Sequence, residues 1–239
     1  MLIGLWIRKD IDETPEFKKV KASGNVAKAP LRETLTHHWR EVVIAAGLKV
    51  VETAPFYIFS TFVVSYATTT LTYQKSQVLE AVTLGALVST VMIPLMGLLS
   101  DKIGRQRMYA ISVVLLGLFI VPWFMLLNTG TTWGIIVATV ITFGVLWSPI
   151  TAVLGTLCSE IFSANVRYTG ITLGYQIGAA LAGGTAPLIA TGLLAKYNGD
   201  WVPVAWYLGA TVAISLTAIF FASRRKRQSE TVNAQTSQI

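Results

Sequence analysis

From Ala81 to Ser100 the chain carries no charged residue, and from Met108 to Ser159 it carries none again. The first run has the length, about 20 apolar residues, that a helix needs to cross the hydrocarbon core of a bilayer; the second has room for two crossings and a turn. Lipid offers the backbone no hydrogen-bond partner, so each N–H and C=O in such a run must be satisfied within it, and the runs are predicted to be helices. What separates them is one short charged turn, Gly97-Leu-Leu-Ser-Asp101-Lys102-Ile-Gly104-Arg105-Gln-Arg107. A soluble domain spreads about 25% charge over its surface; here charge is 13%, against 53% apolar residues, and it is confined to turns and ends.

Extending the same reading predicts an all-α membrane protein with six spans, near Glu41–Tyr66, Val78–Leu99, Met108–Leu127, Trp133–Leu157, Gly170–Ala195 and Trp201–Ser223. The first span has a second possible register, because Thr53 to Gln74 is also free of charge. Sixteen of the 19 Lys and Arg residues fall in the segment before the first span, the 101–107 turn, the loop at Arg167 and the tail from Arg224 to Arg227. Basic residues mark cytoplasmic loops, so both termini are expected in the cytoplasm. Trp39, Trp123, Trp133 and Trp201 fall near span ends, as an interfacial aromatic belt requires, whereas Trp147 sits in mid-span.

The net charge of +7 is thus spent on topology, with no basic–aromatic platform for nucleic acid. His37-His38 has no companion ligands at metal-site spacing, so no metal is expected. Cys158 is alone and cannot form an intrachain disulfide. The apolar Met1–Ile7 is too short to span and lacks the features of a signal peptide. It reads as the end of a helix that begins upstream, and the chain as part of a longer protein. The expected organisation is a stub and cytoplasmic linker over 1–40, a membrane domain over 41–223 and a cytoplasmic tail over 224–239.

Chemistry concentrates in the first span. Lys49 and Glu52 lie one turn apart on one side of the helix, and Glu52 sits about 16 Å along the axis from Glu41, near mid-bilayer. Thr53, Phe56, Tyr57 and Ser60 continue a partly polar stripe, and Pro55 removes a backbone donor. An intramembrane charge normally faces a bundle interior or a wet cavity; the alternative is a self-neutralised pair that only holds the helix in place. Trp147, Ser148 and Thr151 on the fourth span, and Tyr175 and Gln176 on the fifth, are the remaining mid-membrane polar groups. Gly170, Gly174, Gly178 and Ala182 recur every four residues, a smooth ridge suited either to fixed close packing or to sliding. No nucleophile–base set, metal cluster or phosphate loop is present, so an enzyme is not expected.

The charged turn, Gly-x3-Asp-Lys-x-Gly-x2-Arg, resembles the loop signature between helices 8 and 9 of the major facilitator superfamily. Glu13-Thr14-Pro15-Glu16-Phe17 resembles the opening of that family's central loop, and Glu160 through Arg167 to Gly170 resembles its turn between helices 10 and 11. The likeness covers essentially the whole chain, as helices 7–12 of a bacterial metabolite:proton symporter. It implies a secondary transporter of the bacterial inner membrane that moves a small organic acid or zwitterion with a proton, without a cofactor, alongside an N-terminal six-helix half. The alternative is a truncated subunit that transports nothing until that half is supplied. The resemblance also implies that the first, second, fourth and fifth spans line a cavity while the third and sixth are peripheral. On this reading Lys49, Glu52, Tyr57, Trp147, Tyr175 and Gln176 are the pathway residues. Gly97, Asp101, Lys102, Gly104, Arg105, Arg107, Glu160 and Arg167 form the switch cluster, with Asp101 meeting the fifth span near Gly170 and Arg105 and Arg107 pairing with Glu160. Plain topology, with those charges solvated, is the simpler account of the same residues.

Overall fold

The computed structural model describes the backbone of residues 30–236 and the side chains of residues 31–224. The stub at Met1–Ile7 and the Glu13–Phe17 segment lie outside the described residues. A short helix, Pro30–His37, leads into six helices long and apolar enough to cross a membrane: Trp39–Thr69, Lys75–Ile103, Arg105–Leu127, Thr132–Ile161, Arg167–Lys196 and Val202–Arg224. Each contains the corresponding predicted span or exceeds it by a few residues, except that Trp201 stands one residue before the sixth. The sixth helix continues through the basic tail to Thr236.

The first span begins at Trp39, well before Thr53, and places Glu52 within one turn of its midpoint. It is the hub of the bundle, packing on the fifth, sixth and fourth spans, while the second packs on the fourth, and the third on the fourth and sixth. Leu48, Val51, Ala54, Ile58 and Phe59 from the first span and Tyr109, Val113, Leu116 and Trp123 from the third are fully buried in one apolar core. Large apolar side chains such as Leu87, Leu98 and Leu118 remain exposed, as expected where the surroundings are lipid rather than water.

Three spans are irregular, each near a proline, although Pro94 in the second span and Pro122 in the third sit in unbroken helix. The first widens into a π-helical turn over Ile58–Phe62, just beyond Pro55. The fourth does so over Val140–Leu146, just before Pro149, with the Trp147 amide bonded to the Thr142 carbonyl five residues back. The fifth breaks at Gly183–Thr185, immediately before Pro187. A missing proline N–H leaves the helix ladder locally incomplete, which makes a kink or break easier there.

The aromatic belt needs one correction. Trp39 and Trp133 are exposed at span ends, but Trp123 is fully buried, edge-on to Phe59 at 4.9 Å. Trp201 is half-buried and stacks on Phe124 at 4.9 Å. Proximity to a span end fixes the depth of a tryptophan but not which side of its helix it occupies.

Candidate functional site

Lys49 and Glu52 point into the bundle, where they form a salt bridge of 2.5 Å with side chains 17% and 13% exposed. Glu52 also accepts a hydrogen bond from Thr53 Oγ1 at 2.9 Å. The Lys49 ammonium lies 4.9 Å from the centroid of the Tyr175 ring, within cation–π range. Tyr175 reaches it because Gly174 and Gly178 bring the fifth span close: a Cβ added at Gly178 would fall 2.6 Å from the Ala46 carbonyl oxygen and 2.8 Å from Lys49 Cβ. Gly174 and Gly178 of the small-residue ridge are therefore a contact face against the first span, and Gly178 lies beside the charged pair.

Trp147 closes the group from the fourth span, donating its indole N–H to the Glu52 carbonyl at 2.7 Å. Its ring packs at 5.3 Å from both Phe56 and Phe143, near the two π-helical turns. Tyr57 meets Phe56 edge-on at 5.4 Å and lies against Gly183, at the break in the fifth span. Ser148 shares a 2.8 Å hydrogen bond with Ser89, tying the fourth span to the second. The Tyr175 hydroxyl sits beside the Cys158 thiol; with Thr151 Oγ1 it is buried and without a hydrogen-bond partner among the described residues. Buried polar atoms left in this state are uncommon. The result is a mid-depth group with two opposite charges, aromatic walls and two uncommitted hydroxyls, the few-polar-groups-on-apolar-wall composition of a small-molecule site.

Gln176 does not join it. One residue past Tyr175 is about 100° around the helix, and Gln176 is exposed. Three residues that the sequence reading passed over do converge here: Cys158, Tyr109 and Ser215. Tyr109 and Ser215 come from the third and sixth spans, expected at the periphery, yet their hydroxyls bond to first-span carbonyls, those of Leu48 and Gly47 respectively. A lone hydroxyl inside an apolar run was the only available signal.

At the end where the basic turns gather, the charged cluster assembles only in part. Arg105 bridges two carboxylates, Glu160 at 2.8 Å and Asp101 at 3.3 Å, linking the second, third and fourth spans. Asp101 thus bonds to Arg105 and not to the start of the fifth span; Gly170 is instead closed over by the Phe162 ring. Arg107 forms no ion pair with Glu160 and none with any other described residue. It lines, with Asp101, Gly104, Arg105 and Glu160, a cavity of about 400 Å³. Lys102 is exposed, and Arg167 donates to the Phe162 carbonyl at 3.4 Å. Gly104 has φ +95°, a conformation that glycine adopts without strain, so it makes the turn. Gly97 is not a close-approach point, since a Cβ there would meet nothing within 4 Å.

With this geometry in place, comparison with known proteins is direct. The family model of the Major Facilitator Superfamily matches residues 1–183 and 45–238. The chain belongs to that superfamily, a family of membrane transporters and not of enzymes. Among its curated relatives, the shikimate transporter of Escherichia coli K12 is 28% identical over 229 residues, covering 95% of this chain and 52% of the relative. The inner membrane metabolite transport protein YhjE of the same organism is 30% identical, covering 96% of this chain and 52% of the relative. The glycine betaine/proline/ectoine/pipecolic acid transporter OusA of Dickeya dadantii is 28% identical, covering 92% and 45%. The chain spans about half the length of these relatives. No solved structure matches it significantly.

Proposed function

We propose that this chain forms the C-terminal six-helix lobe of a secondary transporter of the bacterial inner membrane. It carries a small organic acid or zwitterion by proton symport and alternating access, with an N-terminal lobe as partner and both termini cytoplasmic. The membrane domain is 41–223, flanked by the linker 1–40 and the tail 224–239. Lys49, Glu52, Tyr57, Trp147 and Tyr175 line the solute and proton path. Glu52 exchanges the proton, Lys49 supplies a counter-charge for an anionic substrate group, and the aromatic walls hold its apolar or cationic part. At the cytoplasmic end, Arg105 with Asp101 and Glu160 holds one closed state and releases in the other, a two-state latch of the kind conformational switching uses.

The observation that carries this reading is the largely buried Lys49–Glu52 pair near the middle of the first span, beside hydroxyls with no partner among the described residues. A pair needed only for packing would be cheaper to replace by apolar residues. The relatives' names, shikimate on one side and betaine and proline on the other, support the substrate class. The test is Glu52→Gln in a complete two-lobe protein, followed by radiolabelled uptake at several pH values. Uptake is expected to drop and to lose its pH dependence; uptake unchanged in both respects refutes the role.

The half-length coverage of its relatives favours a second reading for the isolated chain, a subunit that transports only when the N-terminal lobe is supplied. Uptake by the chain alone, compared with co-expression of that lobe, separates the two.

A further inference from the structure

Side chains from three different spans hydrogen-bond to the backbone of one stretch of the first span. Ser215, on the sixth span and fully buried, donates to the Gly47 carbonyl at 2.6 Å and accepts from the Val51 N–H at 3.1 Å. Tyr109, on the third span and fully buried, donates to the Leu48 carbonyl at 2.6 Å. Trp147 donates to the Glu52 carbonyl. The four backbone groups held, at Gly47, Leu48, Val51 and Glu52, belong to the turns that carry Lys49 and Glu52.

Satisfying a stray hydroxyl does not explain Ser215. Other hydroxyls solve that problem within their own helix: Ser112 on the third span bonds to the Met108 carbonyl, and on the sixth span itself Thr217 bonds to Ala213 and Ser223 to Ile219, each four residues back. Ser215 reaches across to a neighbouring helix, at the place where Gly47 allows the close approach: a Cβ at Gly47 would fall 2.9 Å from Ala218 Cβ. The stretch also needs holding, because Pro55 supplies no N–H to the Val51 carbonyl and the helix ladder is thin there. Rotating a helix by about 20° carries a side-chain tip at its outer radius of ~5–6 Å through about 2 Å, enough to take Lys49 off the Tyr175 ring.

We infer that Ser215 and Tyr109 are positioning residues: they fix the rotation and height of the Gly47–Glu52 turns, so that Lys49 and Glu52 face Tyr175 and the fifth span. This rests on the reading of that pair as part of the transport path. The groups facing the pair are Tyr175 from the fifth span, Cys158 from the fourth and Tyr109 from the third, besides Lys49 and Glu52 themselves. Ser215 on the sixth span and Tyr109 on the third then act on the pair through hydrogen bonds to the first span's backbone.

The test places 3-fluorotyrosine at position 175 in the full chain and reads its ¹⁹F resonance in detergent micelles. Lys49→Met defines the displacement caused by removing the cation from the ring. Ser215→Ala combined with Tyr109→Phe is expected to produce at least half of that displacement in the same direction, and Ser112→Ala to produce none. Ser215→Ala alone removes a single oxygen atom and is read by the same criterion should the double variant not fold. A resonance unmoved by Lys49→Met, unmoved by the positioning variants, or moved equally by Ser112→Ala overturns the inference. The readout is independent of uptake, so an unaffected Glu52→Gln transporter would overturn the pathway reading while leaving this result standing on its own.

Discussion

Gly178→Ala is the most pointed perturbation of the interface that builds the site. The new methyl carbon would lie 2.6 Å from the Ala46 carbonyl oxygen and 2.8 Å from Lys49 Cβ. Neither neighbour can swing aside, one being backbone and the other the first atom of its side chain. Either the first and fifth spans move apart or the backbone shifts, and overpacking of this kind costs about 1–3 kcal/mol. Against this stands the helix-propensity gain of alanine over glycine, about 1 kcal/mol. The net expectation is a loss of about 0–2 kcal/mol. Gly192→Ala is the internal control: it lies in the same span, in the helix Ala186–Lys196, and its added methyl meets nothing within 4 Å. It should keep the propensity gain and pay no steric cost. The two variants should therefore differ by about 1–3 kcal/mol, which is about one to two decades in the unfolding equilibrium. Unfolding in mixed micelles, followed by tryptophan fluorescence, reads that difference. A Gly178→Ala protein as stable as the Gly192→Ala protein would refute the argument, and with it the claim that the ridge is in contact with the first span.

Three further expectations follow from the same geometry. Tyr73, in the turn after the first span, donates its hydroxyl to the Leu127 carbonyl at 2.9 Å, and burial pushes its phenol above the ordinary value near 10. Folding favours the neutral phenol, so its contribution is intact below pH ~10 and is lost as pH rises through the folded pKa. Tyr73→Phe should cost about 1 kcal/mol at neutral pH and blunt the alkaline fall in Tm. Arg105→Gln breaks both ion pairs, but its partners are substantially exposed, so the expected stability loss is about 1 kcal/mol or less and fades with added salt. Arg107→Gln, removing no ion pair among the described residues, should stay within ~0.5 kcal/mol of the parent in the same melts.

The fold was legible because its strongest determinant is one-dimensional. A charge-free run of span length has one stable answer in lipid, and the charged turn at 101–107 marks where two such answers meet. The depth of Glu52 followed from counting residues, and so did the break-prone positions near Pro55. What the sequence left open concerns azimuth, the direction in which a residue leaves its helix once its depth is known. Trp123 lay near a span end and was read as interfacial, yet it faces the core. Gln176 lies beside Tyr175 in sequence and on another side of the helix in space. Arg105 and Arg107 looked equivalent as partners for Glu160, but only Arg105 meets it. In soluble helices the apolar stripe reveals azimuth; in a helix apolar on all sides, that signal is gone.

The same loss of signal explains why Ser215 and Tyr109 were passed over, and it changes how the peripheral spans should be read. Charge and proline are visible in a membrane sequence because both are costly there. A serine or tyrosine is tolerated at many positions, and it becomes informative only when its partner is known. Ser112 and Ser215 look alike in sequence, isolated hydroxyls in apolar runs. One closes a bond within its own helix and the other clamps the turns that hold Lys49 and Glu52. The site is thus set by two layers with different legibility: a charged pair whose depth can be counted, and a collar of buried hydroxyls and an indole that fixes its direction. Altering the collar's two hydroxyls, Ser215 and Tyr109, should redirect the pair without changing any residue assigned to the proposed path. For that reason, variants at the third and sixth spans are the sharper probe of how this lobe orients its charges.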